Sequence, residues 1–206
     1  MSLSAVELWN QNAFLAINAG AQAPAFGIAI ARMLARWAVY LVMILLIFVW
    51  VRRGRAVRFA LLDATFAALI GLGIAQGITA LWYHPRPFEI GLGRQLLNHA
   101  AEASFPSDHA TLMFSLAIPL LFCVESRRWG GAFLLLGFAV TWSRIYLGVH
   151  FPLDMLGAFG VAVFASFAIR IASPRLQRRF YPLLVSIYET VLRRLGLPAS
   201  VFPCNP

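Results

Sequence analysis

Arg144, His150 and Asp154 stand at spacings suited to phosphoryl transfer, within the run Ser143-Arg-Ile-Tyr-Leu-Gly-Val-His-Phe-Pro-Leu-Asp154. Arginine is a fixed cation whose fork of donors matches phosphate oxygens. A carboxylate held against one imidazole nitrogen fixes the tautomer and leaves the other nitrogen free to attack. Long apolar runs flank all three residues, and charges at the edge of such runs are costly enough to need a reason. Gly148 reads as the C-terminal stop of one helix and Pro152 as the first turn of the next. His150 then sits at a tight helix-to-helix turn, with Asp154 close enough to accept from its ring. By itself the histidine could equally be a turn residue capping a helix end.

Two further segments carry matching chemistry. His84-Pro-Arg86-Pro-Phe holds an arginine between prolines that stiffen its backbone. Ser104-Phe-Pro-Ser107-Asp108-His109 opens a helix, whose N-terminus offers free N–H groups and a positive dipole end to an anion. Standing alone, Ser107 would be a plain N-cap. Gathered at one point, the two arginines, the helix N-terminus and the two histidines make a phosphate site. In it Arg86 and Arg144 clamp the phosphoryl oxygens, helped by Ser107 and neighbouring N–H groups. His150 attacks phosphorus, oriented by Asp154, and His109 protonates the leaving oxygen. Water then hydrolyses a covalent phosphohistidine. Glu102 and Asp108 lie nearby, and either tune His109 or solvate the loop. A metal site is the chemical alternative, since the four histidines and several carboxylates fall between 84 and 154. There is no HExxH or paired histidine spacing, however, and arginines aimed at the same centre would repel a cation. The expectation is no metal and no cofactor.

The elements that must position these residues are apolar helices. Of 206 residues, 61% are hydrophobic and 12% charged, which excludes a soluble domain and places the chain in a bilayer. The net charge of +9 rests on arginine, with no lysine in the chain. Those arginines fall in short clusters between apolar runs, the pattern of cytoplasmic loops and not of a nucleic-acid surface. Residues 4–19 read as an interfacial amphipathic helix. Spans are expected at about 33–51, 59–83, 106–124, 131–147 and 152–172, each near the ~20 residues a crossing needs. Pro119 should kink the third, and Gly71, Gly73 and Gly77 should give the second a thin packing face. Residues 183–195 read as a basic amphipathic helix on the membrane surface. The fold expected is an all-α polytopic transmembrane bundle of about five spans, with interfacial helices at both ends. It is a single domain over 1–206, with its core at 30–173 and a cytoplasmic tail at 174–206. Arginine clusters at 52–58, 127–128 and 170–179 then face the cytoplasm, and the loop 84–106 and the His150 turn meet outside. Cys123 and Cys204 give no disulfide framework, and no cleavable signal peptide is visible.

The set RP at 86–87, PSDH at 106–109 and SRIYLGVHFPLD at 143–154 resembles the type 2 phosphatidic acid phosphatase superfamily. Three motifs in the right order are specific where any one is weak. The form HPRPF…SFPSDH, the short N-terminal helix and the tail around IYETVLRRLG resemble its bacitracin-resistance branch, the undecaprenyl-diphosphatases. That resemblance implies an integral-membrane phosphatase of the bacterial inner membrane with its site facing outward. Its substrate would be a polyprenyl diphosphate, and its role recycling of the cell-wall carrier lipid. The family carries a lysine seven residues before its first arginine. Thr79 stands there in this chain and, with Asp108, joins the expected phosphate-binding set.

Three classes compete. The first is this lipid phosphatase, acting on undecaprenyl diphosphate or on phosphatidylglycerol phosphate, phosphatidate or a lipid A phosphate. The second is a transporter using intramembrane charges as a path, disfavoured because the charges cluster at one face and not the midplane. The third is a structural subunit, which leaves the arginine–histidine set without an explanation.

Overall fold

The computed structural model describes residues 4–196. Cys204 and the end of the expected tail lie outside them. Among the described residues there are seven α-helices: α1 Ala5–Ile17, α2 Ala25–Arg52, α3 Arg55–Leu81, α4 Asp108–Leu121, α5 Arg127–Tyr146, α6 Pro152–Arg179 and α7 Tyr181–Arg194. A single 3-10 turn, Pro87–Ile90, interrupts the long α3–α4 connection.

α4 is the centre. Ten of its fourteen residues are buried, as expected of a helix that is apolar nearly all round, and α3, α5 and α6 pack about it. Gly71 of α3 permits the closest of these approaches, since a Cβ there would lie 2.6 Å from Ser115 Oγ. Gly73 and Gly77 face open space, so the expected three-glycine packing face reduces to Gly71. Pro119, expected to kink the third span, lies inside α4. It stands near the end of this short helix, whose Leu120 carbonyl accepts from Ser126 Oγ at 2.8 Å.

α2, α3 and α6 are long and apolar enough to cross a membrane, and α4 is a shorter apolar helix. Trp37, Tyr40, Ile44 and Ile47 of α2 and Phe164, Phe167 and Ile171 of α6 are exposed. Apolar faces of that extent fit lipid and not water. The expectation of five long spans is therefore met by length and composition in three helices. The other two are not among them: α4 has only 14 residues, and α5 has 20 residues and carries the buried Arg144.

Both terminal helices hold more of the bundle than an interfacial position requires. Ser4 caps α1 by accepting from Glu7 N–H at 3.2 Å. Phe14 is fully buried against Phe151, edge to face at 5.3 Å, a pairing worth about 0.5–1.5 kcal/mol beyond its area. Asn10 Oδ1 accepts from Leu153 N–H at 3.0 Å, which ties α1 to the first turn of α6. Asn18 donates to the Arg94 and Tyr146 carbonyls at 3.0 and 3.1 Å and accepts from Arg94 N–H at 2.7 Å.

At the other end, α7 buries Tyr181, Val185 and Leu192 and exposes Leu183, Ile187 and Val191. Tyr181 donates its hydroxyl proton to Asp63 at 2.7 Å. Arg58 is fully buried, 3.5 Å from Glu189 and over the Tyr188 ring. One edge of the helix expected on the membrane surface thus docks on the bundle.

Candidate active site

The catalytic turn is built by the end of α5. Leu147 N–H donates to Ser143 and Val149 N–H to Arg144, at 2.9 and 3.1 Å. Between them Gly148 takes φ +80°, and a Cβ on it would lie 2.2 Å from the Arg94 carbonyl oxygen. No side chain fits there. The chain re-enters a helix at Pro152, and Asp154 reaches back to accept Phe151 N–H at 2.7 Å. This one-sided cap of the α6 N-terminus, made by the Asp154 carboxylate alone, brings it beneath the preceding residue, His150.

Asp154 is fully buried and His150 nearly so. Asp154 Oδ2 lies 3.2 Å from His150 Nδ1 and also accepts from the buried Ser104 hydroxyl. His150 Nε2 lies 3.1 Å from Arg86 Nη1. A guanidinium only donates, so Nε2 must accept and the ring proton must sit on Nδ1, given to Asp154. The lone pair of Nε2 is thereby directed into the cationic pocket.

Arg86 is fixed independently. Its Nε donates to the Glu102 carbonyl at 3.0 Å, its Nη1 to Val149 at 2.9 Å and its Nη2 to Ala103 at 3.3 Å. Ser104 N–H in turn donates to the His84 carbonyl at 2.7 Å, so the two ends of the α3–α4 loop lock together. Arg144 differs. It is buried, and its Nε and Nη2 have no hydrogen-bond partner among the described residues. Buried donors left unmatched are costly, and phosphoryl oxygens are the acceptors that suit them.

Ser107 caps α4, its Oγ accepting from Ala110 N–H at 3.5 Å while its own N–H donates to the Asp154 carbonyl at 3.3 Å. His109, in the first turn of α4, opens on a cavity of about 510 Å³ that Arg144 and His99 also line. The structure therefore gathers Arg86, Ser107, His109, Arg144, His150 and Asp154 at one end of the bundle.

Two further expected phosphate ligands, Thr79 and Asp108, make contacts within the protein. The Thr79 hydroxyl donates to the Phe105 carbonyl at 3.3 Å, which leaves only lone pairs to face an anion. Asp108 carries negative charge and accepts from Gln76 Nε2 at 2.9 Å through both oxygens. That bond ties the first turn of α4 to α3.

Three residues went unread or unassigned in the sequence. Ser104 holds the Asp154 carboxylate. The ring of His99 stands 6.2 Å from that of His150, edge to face. Arg36 lines the same cavity from α2, and a cation inside an apolar run was its available signal. Among the described residues no three His, Cys, Asp or Glu side chains converge as a metal set.

Electrostatics favour neutral imidazole. Burial, then the Arg144 and Arg86 charges, push His150 well below the ordinary histidine range, and burial also lowers His99. A nucleophile must be deprotonated, and a lowered value keeps it so as the medium acidifies. The acid limb of kcat/KM assigned to His150 should fall below pH ~6.5, the unperturbed imidazole value. A pH–rate profile checks this, and an acid limb at or above that value would contradict the electrostatic reading.

Beside the His109 cavity, sharing His109 and Val39, lies a second cavity that Leu72 and Leu112 also line, and these two leucines in turn border an apolar groove walled by Met43, Ile47, Leu69 and Leu116. α2 contributes one side of the second cavity and the groove, α3 and α4 the other. A headgroup-sized chamber carrying Arg144, Arg36, His99 and His109 thus adjoins, through shared lining residues, an apolar groove between helices.

Residues 60–178, more than half of the chain, match the PAP2 superfamily. The chain belongs to that family. YbjG of Escherichia coli (strain K12), named provisionally as an undecaprenyl-diphosphatase, is 33% identical over 89% of this chain and 92% of its own length. Undecaprenyl-diphosphatase BcrC of Bacillus subtilis (strain 168) is 34% identical over 79% of this chain and 82% of its own. The crystal structure of Aquifex aeolicus LpxE superposes with a TM-score of 0.63 over 78% of this chain and 94% of that one. At 23% identity that likeness speaks to the fold. The motifs RP, PSDH and SRIYLGVHFPLD thus belong to a PAP2 membrane phosphatase.

Proposed function

We propose that this PAP2 protein hydrolyses undecaprenyl diphosphate to undecaprenyl phosphate and phosphate. The observation that carries the chemistry is His150, with Nδ1–H on Asp154 and Nε2 held beside the Arg86 guanidinium. Nε2 attacks the terminal phosphorus. The bridging P–O bond breaks, and its electron pair stays on the lipid phosphate oxygen, which His109 protonates. Water then attacks the phosphohistidine, returns a proton to His109 and releases phosphate with His150 restored. Arg86 and Arg144 hold the phosphoryl oxygens throughout, and Ser107 and the α4 N-terminus add donors.

The lipid half of the reading is supported by the apolar groove that adjoins the His109 cavity and by the names of the relatives above. We place five crossings, α2 to α6, with the Arg52–Arg58 and Arg127–Arg128 segments and α7 cytoplasmic and the His150 turn outside. The uneven arginine distribution supports that orientation. A reporter fused after residue 196 should read as cytoplasmic, and an external signal would reverse the proposed compartment.

The deciding experiment compares phosphate release by the purified protein from undecaprenyl diphosphate, phosphatidylglycerol phosphate, phosphatidate and a lipid A phosphate. The highest kcat/KM is expected on the diphosphate. A higher value on one of the others would transfer the assignment to that lipid.

A further inference from the structure

Of the two arginines that line the His109 cavity, Arg36 is the one that the reaction above does not use. It stands on α2 beside the exposed pair Trp37 and Tyr40, whose rings are 5.9 Å apart. Aromatics of this kind mark the headgroup level of a membrane. One turn earlier on the same face, Arg32 Nε donates to the Leu96 carbonyl at 3.1 Å, anchoring the loop to α2. Arg36 has no hydrogen-bond or ion-pair partner among the described residues. It lines the chamber shared by Asn98, His99, His109 and Arg144, and with Asn98 also borders an adjoining polar cavity.

The route to the apolar groove decides what meets Arg36. The chamber of His109 and Arg144 and the next cavity toward the groove share two lining residues, Val39 and His109. Val39 lies three residues after Arg36, on the same helix face. A substrate with its terminal phosphorus at His150 and its tail led through these two cavities to the groove passes the chamber that Arg36 lines. In a lipid diphosphate the group occupying that stretch is the second phosphate. In a monophosphate it is an uncharged ester oxygen and the first carbons of the tail.

We propose that Arg36, with the Asn98 amide beside it, forms a subsite for the lipid-side phosphate and selects diphosphates over monophosphates. The proposal rests on the lipid-phosphatase reading and adds a specificity determinant to it. Arg36 acts on the group whose charge grows as the reaction proceeds. As the Nε2–P bond forms and the bridging P–O bond breaks, the departing electron pair adds negative charge to the phosphate that Arg36 faces. A cation placed there stabilises the transition state more than the ground state.

The test uses the full chain in detergent micelles as wild type, Arg36→Gln and Arg36→Lys. kcat/KM is measured on farnesyl diphosphate and farnesyl phosphate, whose tails are identical. Arg36→Gln is expected to lower the diphosphate-to-monophosphate ratio about tenfold, the low end for a charge-assisted bond at a partly exposed site. Arg36→Lys should recover part of it. An unchanged ratio, whether both rates fall together or neither does, would overturn the subsite. Calorimetric titration with inorganic diphosphate and with orthophosphate reads the same residue without turnover. The diphosphate Kd should rise about tenfold in Arg36→Gln, with a smaller rise for orthophosphate, and equal changes would again overturn it. A wild type inactive on every lipid diphosphate but still losing diphosphate affinity in Arg36→Gln would sink the proposed reaction and leave the subsite standing.

Discussion

His150→Ala should reduce phosphate release by a factor on the order of 10⁴ or more, the scale for removing a nucleophile that acts with its partners as a unit. The reason is geometric. Nε2 is the ring atom directed into the cationic pocket, and His150 is 3% exposed, so a water displacing it would have to enter a packed turn. The clamp should survive the change. Arg86 is held by the carbonyls of Glu102, Ala103 and Val149, and none of those bonds involves the imidazole. Substrate affinity should therefore change far less than kcat. Rapid quench with a phosphorus-labelled substrate should leave acid-labile, base-stable label on the wild type and none on the variant. A thermal melt in the same detergent separates lost chemistry from lost fold. Substantial turnover by well-folded His150→Ala would remove the nucleophile assignment.

Much of this site could be read from the chain because it is local. His150 and Asp154 are four residues apart, so one cap geometry at a helix start determines their meeting. Pro152 and Gly148 announce that geometry in the sequence. The match of PSDH to a helix N-terminus is local in the same way. What stayed hidden depends on the packing of distant segments. The bond from Ser104 to Asp154 spans fifty positions, and a serine in a loop carries no mark of the partner it will find. Thr79 stood at the position of a family lysine, but Phe105 presents a carbonyl to it, which no spacing foretells.

Terminal helices were underread for a related reason. Amphipathicity says that one face is apolar, but not whether lipid or protein covers it. α7 meets both, because Tyr181 finds Asp63 across 118 positions. α1 buries Asn10 to reach the Leu153 N–H, so a polar residue on that face had a backbone partner 143 positions away. Hydropathy also overstated α4, since its helix ends at Leu121, two residues past Pro119. The apolar run continues to Val124 while the helical hydrogen bonds do not.

Asp154→Asn tests the support of the nucleophile, and its expected loss lies on the order of 10²–10⁴ in kcat, by analogy with amide substitution of the orienting acid in hydrolytic triads. Oδ2 accepts from three donors: Phe151 N–H at 2.7 Å, the Ser104 hydroxyl and His150 Nδ1–H. An asparagine with its oxygen in that place keeps all three bonds and the helix cap but loses the charge. The phosphorylated ring, with its proton still on Nδ1, is a buried cation, and only a carboxylate neutralises it. The flipped amide is worse. Its NH₂ would face the Phe151 and Ser104 donors and would drive the His150 proton to Nε2, silencing the attacking atom. Either orientation penalises the transition state more than binding, so kcat should fall while KM moves little. Ser104→Ala removes one donor, leaves the carboxylate and should cost only about tenfold, the scale of one hydrogen bond to a charged group. The order wild type, Ser104→Ala, Asp154→Asn, His150→Ala is thus expected in single-turnover rates at fixed pH. Asp154→Asn within about threefold of wild type, well below the range for lost orientation, would show that the imidazole holds its tautomer without the carboxylate.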